Sequence, residues 1–335
     1  YQKKKKLEYY TIVPCYKGDN ILSQINENEH IFIYGDFFWG MGSLLGNIKN
    51  VQCGVSVALL GGDTFSNREN MLQIVHKNSD KFYFICHSLS EKIKLWKNCS
   101  IKANIIKNGI DLEEFKYNKV NFREKYNIEE KYILLNVSNY FYGKGQEFLP
   151  KIHNYISEVL DDFIILSVSS SIKYPYDKIF LERCKNKSRG MKIRFFRDLP
   201  REDVVASFIA SDAFLFTSTK EVSPLVFLES KVANLPFVSF LVGDVSKAEG
   251  ANIVSCTEKD FQDSKGYIKV NDDMLKNFSS KVCKLVSDEK YRNRFLEKYN
   301  IIDRYWDNIC KEYHKVFRED YKENVVNLIF DNKVQ

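Results

Sequence analysis

The chain reads as an α/β protein made of two doubly wound parallel sheets, and three observations lead there. Short apolar runs alternate with helical patterns from Tyr10 to Ser255. Strands alternating with helices pack as a parallel sheet covered on both faces. At 335 residues the chain exceeds what one hydrophobic core usually organises, so two units are expected. Between them, residues 112 to 130 are charged and lack a strand pattern, with Glu113, Glu114, Lys116, Lys119, Arg123, Glu124, Lys125, Glu129 and Glu130. That stretch reads as a helical or irregular connector between domains.

In the N-terminal half, Tyr10 to Cys15 is a strand, Asn20 to Ile25 a short helix, and His30 to Tyr34 a strand that leads to Gly40, Gly42 and Gly46 at the opening of a helix. Val55 to Leu60 is a strand ending in Gly61-Gly62-Asp63, and Arg68 to Lys77 is a helix. Phe82 to Cys86 is a strand followed by His87, Leu89 to Lys97 a helix, and Ala103 to Ile106 a strand. Gly40, Gly42 and Gly46, with Asp63 about twenty residues on, look like a dinucleotide-binding fingerprint. The spacing is Gly-x-Gly-x-x-x-Gly, however, and Asp63 follows its own Gly-Gly turn, where it can cap the next segment. An NAD(P)-dependent oxidoreductase is the alternative this loop raises. His87 is a satisfied structural histidine or a site group. Asn108-Gly109 is a turn signal able to take positive φ.

In the C-terminal half, Tyr132 to Val137 is a buried strand, followed by Ser138-Asn139-Tyr140-Phe141-Tyr142-Gly143-Lys144-Gly145 and a helix from about Gln146. Phe163 to Val168 and Met191 to Phe195 are strands, the second leading to Arg197, Asp198, Leu199 and Pro200. A helix over 201–210 precedes the strand Ala213 to Phe216. Phe237 to Leu241 and Ala251 to Ser255 are the last strands, and Asp272 to Asp288, Glu289 to Tyr299 and Asp303 to Phe317 are helical patterns.

Bulk properties exclude several classes. Apolar residues make up 44% and aromatic ones 14% of the chain, enough for packed cores. No run of eighteen apolar residues occurs, so no spanning helix is expected, and no secretory signal is visible. Eight cysteines are scattered without a Cys-x-x-Cys pair and mostly in apolar surroundings, which reads as reduced, buried thiols in a cytosolic protein. Five histidines form no metal-ligand spacing. The net charge of +6 is spread along the chain, with no basic stripe carrying interleaved aromatics, so nucleic acid is not an expected partner. Lys3 to Lys6 is the one dense run: a solvated terminus or an electrostatic foothold on an anionic membrane leaflet.

One stretch concentrates the chemistry. After the strand Ala213 to Phe216, residues Thr217 to Thr219 break the apolar run and Lys220-Glu221-Val222-Ser223-Pro224-Leu225-Val226-Phe227-Leu228-Glu229 follows. Ser223 is a good N-cap, and Pro224 suits the first helical position because its missing N–H has no partner there anyway. Leu225, Val226, Leu228, Val232 and Leu235 supply an apolar helix face. A strand, a tight loop and a helix N-terminus form a ready anion site, since free N–H groups and the positive dipole end point outward.

Glu221 and Glu229, with seven residues between them, resemble the Glu-x7-Glu element of retaining glycosyltransferases of the GT-B fold, most like glycosyltransferase family 4. The resemblance implies that Glu221 sits by the donor sugar and orients its hydroxyls. It implies that the backbone of Ser223, Pro224, Leu225 and Val226 holds the diphosphate and sugar, and that Glu229 takes the ribose hydroxyls. Ser138 to Gly145 is similar to the segment in which an arginine and, five residues later, a lysine clamp the diphosphate. Lys144-Gly145 matches it, with Gly143 alongside, while Asn139 stands at the arginine position and supplies a neutral hydrogen bond in place of a charge-assisted one. The backbone around Arg197 and Leu199 is implied to meet the nucleobase. Asn108-Gly109-Ile110-Asp111 resembles the segment leading out of the first domain, and Gly40, Gly42, Gly62, Asp63, His87 and Asn108 are implied on the acceptor or cleft side.

The domains implied are a short N-terminal Rossmann-like acceptor-side unit over 1–115, a nucleotide-sugar-binding unit over 116–302, and a terminal helix at about 303–335 that packs back on the first. No Asp-x-Asp occurs, which fits a transferase that needs no metal, and no cofactor is implied. The expected activity is retaining transfer from a UDP- or GDP-sugar to a glycan or lipid-linked acceptor in bacterial surface polysaccharide synthesis. The expected place is cytoplasmic, with peripheral contact at the inner membrane through Lys3 to Lys6. Besides the oxidoreductase, a GT-B-like protein that binds without catalysing is an alternative.

Overall fold

The structure, a computed structural model, describes residues 10–15, 29–34, 55–59, 72–74, 77, 82–101, 103–169, 175–243, 245, 250–255, 267–298, 301–321 and 325–331. The elements begin with strands β1 (Tyr10–Cys15), β2 (Glu29–Tyr34), β3 (Val55–Ala58) and β4 (Phe82–Cys86), then helix α1 (Leu89–Cys99) and β5 (Ala103–Ile105). Two short helices, α2 (Glu113–Lys116) and α3 (Phe122–Lys125), lead to β6 (Tyr132–Val137), α4 (Leu149–Ser157), β7 (Phe163–Ser169), α5 (Pro175–Lys187) and β8 (Ile193–Arg197). Next come α6 (Arg201–Ile209), β9 (Ala213–Phe216), α7 (Leu225–Val232), β10 (Phe237–Phe240) and β11 (Asn252–Val254). Helices α8 (Asp272–Ser287), α9 (Glu289–Leu296) and α10 (Trp306–Tyr321) precede the last strand, β12 (Val325–Asp331).

The chain forms two compact units, residues 1–109 with 306–335, and residues 110–305. The first holds a parallel sheet in the order β1-β12-β2-β3-β4-β5. Its strand β12 corrects the expectation of a terminal helix over about 303–335: α10 is helical, but 325–331 inserts between β1 and β2 and pairs with both. An apolar run this short fits strand or helix equally by its period, and only the two parallel neighbours decide it. Helix α10 packs on the sheet through Ile309, which joins Ala58, Ile85 and Ile106 in one cluster.

The second unit holds a parallel sheet in the order β11-β10-β9-β6-β7-β8. The chain winds outward from β6 to β8, then crosses to the other side of β6 to lay down β9, β10 and β11. The point of reversal lies between β6 and β9, where ligands of such sheets bind, outside the carboxyl ends of the strands. The core is one cluster, with Ile133 to Leu135, Ile164 to Leu166, Phe214, Phe237, Phe240 and Phe278 buried. Strand β8 begins two residues later than the sequence pattern indicated, because its register is set by pairing with β7, Ile165 opposite Ile193 through Ser169 opposite Arg197.

Residues 112–130 are part of this unit's core rather than a connector. Phe115, Phe122 and Ile128 are buried, with Phe115 edge-on to Phe208 and Phe122 against Tyr126 and Phe196. The Lys125 ammonium and the Tyr126 hydroxyl both bond the buried Asp203 carboxylate, at 2.8 and 2.5 Å. The charges of the segment are its solvated face, and its spaced phenylalanines are the other face.

The chain therefore passes between units at Gly109–Ile110 and again at Tyr305–Trp306. Gly109 does not have positive φ, as the Asn-Gly signal suggested. Its glycine is required by packing instead, since a Cβ would lie 2.6 Å from the Trp306 ring. Within the second unit, Ile110 donates its N–H to the Arg304 carbonyl at 2.8 Å.

Among the described residues, Cys86, Cys184, Cys283 and Cys310 are free thiols. Burial pushes Cys86 well up, Cys184 to about 12 and Cys283 to about 11, so these thiols stay protonated. Among the described residues no helix is long and apolar enough to cross a membrane.

Candidate functional site

Two loops meet at the reversal point of the second sheet, one after β6 and one after β9. A buried polar network stitches them together. Asn136, near the end of β6, donates through Nδ2 to the Leu215 carbonyl at 2.9 Å and to Thr217 Oγ1 at 3.2 Å. Thr217 Oγ1 in turn donates to the Lys144 carbonyl at 2.8 Å, and the Thr219 N–H donates to the Gly143 carbonyl at 2.8 Å. Gly145 takes φ +81°, and a Cβ there would collide with the Thr217 carbonyl. The loops approach so closely that only glycine fits. Gln146 secures the other end of the first loop, donating through Nε2 to Ser138 Oγ at 2.7 Å and to the Asn139 carbonyl at 2.8 Å. Tyr140 is buried beneath, its hydroxyl placed 2.9 Å from the carbonyls of both Ser167 and Phe196.

On this frame the Lys144 ammonium reaches Glu221 Oε1 at 2.6 Å. The two residues are 77 apart in sequence, and both side chains are largely covered, 28% and 12% exposed. Glu221 leads directly into α7. The N-cap of that helix is Pro224 and not Ser223: Pro224 has ψ 130°, outside the helical region, so Leu225 is the first helical residue. The N-cap, Pro224, makes no side-chain hydrogen bond to the helix, whose first N–H groups lack intrahelical acceptors by geometry. Of the expected apolar face, Leu228 and Leu235 are buried and Val226 and Val232 pack against the core, while Leu225 is exposed. Phe227, Glu229, Ser230 and Lys231 are buried as well, with Phe227 edge-on to Phe237 of β10.

Glu229 is therefore a buried carboxylate. Burial pushes its pKa up, and the Arg201 guanidinium beside it pulls the other way. Arg201 Nη1 donates to Glu229 Oε1 at 2.5 Å, while its Nη2 and Nε donate to Glu114 Oε2 at 2.8 and 3.1 Å. The sequence reading missed Arg201, Glu114, Thr217, Thr219 and Gln146. A charged residue at the first turn of α6 and another in an apparent connector carry no local signal. Their meaning comes from one guanidinium reaching carboxylates 28 and 87 positions away in sequence.

The remaining expected residues divide. Arg197 ends β8 and is exposed, 3.9 Å from Asp198, and Leu199 is half-buried on the following turn. Asn139 is exposed on the first loop. His87 is buried in the first unit with Nδ1 2.8 Å from the Ile106 carbonyl and its N–H on Glu91 Oε2 at 3.0 Å, and burial lowers its pKa. Asn108 precedes the tight Gly109–Trp306 contact and is half-buried. Gly40, Gly42, Gly62 and Asp63 lie outside the described residues, as do Lys3 to Lys6. Among the described residues no three His, Cys, Asp or Glu side chains converge to hold a metal.

Comparison with known proteins places these features. The chain is 26% identical over 224 residues to the UDP-Gal:alpha-D-GlcNAc-diphosphoundecaprenol alpha-1,3-galactosyltransferase of Escherichia coli. That match covers 61% of this chain and 52% of the relative, so the chain spans about half the length of the curated relative it matches. The fold is shared with an UDP-forming trehalose-phosphate synthase from Burkholderia xenovorans in complex with glucose-6-phosphate, at TM-score 0.69 and 11% identity over 90% of this chain and 75% of that one. It is shared equally with Anabaena HepE in complex with UDP and glucose, at TM-score 0.66 and 12% identity over 86% and 78%. The fold is accordingly GT-B, two Rossmann-like units of parallel sheet. The profile described as Glycosyl transferases group 1 matches residues 118–300, more than half of the sequence and inclusive of Lys144, Arg201, Glu221 and Glu229, and the chain belongs to that family.

Proposed function

We propose that the protein moves a sugar from a UDP- or GDP-linked donor to a glycan or lipid-linked acceptor, with retention at the anomeric carbon and without a divalent metal. The observation that carries this reading is the Lys144–Glu221 pair, held beside the N-terminal tip of α7 and at the reversal point of the second sheet. A donor diphosphate placed against the first N–H groups of α7 competes for the Lys144 ammonium. Glu221 is thereby released to the sugar hydroxyls. As the glycosidic bond to the diphosphate breaks, negative charge grows on the leaving group, and Lys144 with the amides of Leu225 and Val226 stabilises it from fixed positions. In this reading Glu221 positions the sugar and does not attack it. Glu229 accepts hydrogen bonds from the ribose, and the turn at Arg197 and Leu199 lies beside the base.

The Escherichia coli relative carries a UDP-galactose donor and a diphosphoundecaprenol-linked acceptor in its description. That supports a lipid-linked acceptor here, a place at the cytoplasmic face of the membrane, and a role in surface polysaccharide synthesis. The oxidoreductase alternative is not favoured, since the matched family is one of glycosyl transferases.

Thermal shift with UDP, GDP and NAD(H) tests the donor class, and a sugar nucleotide should be hydrolysed slowly without acceptor. Stabilisation by NAD(H) alone would overturn the reading. Binding of UDP or GDP with no hydrolysis or transfer of any sugar nucleotide would reduce it to a binding protein. Activity surviving a chelator tests the metal-free mechanism.

A further inference from the structure

Arg201 lies outside the pair that opens the site, yet it touches both carboxylates behind it. One edge of its planar guanidinium meets Glu229 on α7, and the other edge, through Nη2 and Nε, meets Glu114 on α2. Three separate segments are thereby fixed on one rigid group, a geometry a lysine cannot reproduce. Glu229 itself is 6% exposed, and its link to Arg201 engages Oε1, leaving Oε2 without a hydrogen bond among the described residues. A buried carboxylate with one oxygen braced and the other open is an acceptor for a ligand hydroxyl.

We propose that Arg201 is a positioning residue for nucleotide recognition: braced on Glu114, it holds the Glu229 side chain charged and oriented so that it accepts hydrogen bonds from the ribose hydroxyls of a bound nucleoside diphosphate. The inference rests on the donor-binding reading above and deepens it. The groups facing Glu229 from neighbouring elements are Arg201 on α6 and Glu114 on α2, and they act with opposite sign. Without Arg201, burial and the Glu114 charge act unopposed and Glu229 takes up a proton at higher pH. Without Glu114, a repelling charge is gone and Glu229 stays ionised to lower pH.

The test is calorimetric titration of the full chain with UDP and with 2′,3′-dideoxy-UDP over a range of pH, using the guanosine pair if GDP binds more tightly. The wild type should prefer the hydroxylated ligand by about tenfold, the scale of a hydrogen bond to a charged acceptor. That preference should fade as pH falls. In Arg201→Met the preference should be close to lost near neutral pH and return as pH rises. In Glu114→Gln the fade should move to lower pH, the opposite direction. Glu114 is on the surface, so that variant keeps the question open to measurement should Arg201→Met fold poorly. Arg201→Lys should keep the charge effect but recover only part of the preference. A wild type that binds neither UDP nor GDP would sink the donor reading and this inference together. Diphosphate binding that still depends on Lys144, with pH midpoints for the ribose preference unchanged in both variants, would overturn this inference alone.

Discussion

The two ends of α7 carry the same pairing, a cation on a glutamate, built in opposite ways. At the front, Lys144 and Glu221 sit on two loops whose backbones are pinned, and the ammonium bonds a single carboxylate among the described residues. At the back, Arg201 and Glu229 sit on two helices, and the guanidinium is held by a second carboxylate as well. A single flexible ammonium is easily given up to a diphosphate, whereas a forked guanidinium bonded on two edges is not. Under the proposed function, the difference assigns exchange with the donor to the front pair and support to the back pair. It also shows where rigidity comes from. At the front it lies in the backbone, through Gly145, Thr217 and Asn136, and at the back in the side chains themselves.

The largest expected effect breaks the front pair. Lys144→Ala should lower sugar transfer by about 100-fold or more, the usual loss when one preorganised charge stabiliser is removed. It should weaken UDP far more than uridine, and an equal loss of both in titration would contradict a diphosphate role. Next comes the backbone beneath it. Gly145→Ala forces a Cβ into the Thr217 carbonyl at positive φ and should cost about 2 kcal/mol of stability in denaturant unfolding. If stability is unchanged, the close approach of the two loops is not what fixes Lys144.

The back pair should respond more mildly and in another parameter. Glu229→Gln should raise the donor KM by about tenfold with kcat nearly kept, because the ribose is held alike in ground and transition states. A drop in kcat with unchanged KM would move Glu229 into the reacting centre. The smallest effect sharpens the comparison with a second buried carboxylate, Asp203, on α6. At Asp203, burial alone would push the carboxyl up, but bonds from Lys125 and Tyr126 hold it below the usual range. Its contribution to stability is therefore present above the unfolded carboxylate pKa and lost as pH falls through the folded value. Tyr126→Phe should cost about 1 kcal/mol and move acid unfolding to higher pH, with donor KM untouched. An altered KM would mean that α3 reaches the site.

Most of the alternation was legible because buried parallel strands announce themselves as short apolar runs. Where strands failed to announce themselves, the cause was partner choice. Nothing local in Val325 to Asp331 tells that it lies between two strands nearly three hundred residues earlier. The connector misleads for a similar reason: nine charges outweigh two phenylalanines until Phe196 and Phe208 are set against them. Ser223 looked like a cap by residue type, and the backbone at Pro224 put the helix start one residue later.

Residue order alone placed a lysine-glycine turn after one strand and two spaced glutamates after another, because strand ends, turn formers and helix starts are local properties of the chain. It could not state that Lys144 lies on Glu221, that Glu229 is buried, or that Arg201 joins it to Glu114. Those are matters of strand order in an open parallel sheet. Once β9 is laid beside β6, loops 77 residues apart share one edge and Lys144 meets Glu221.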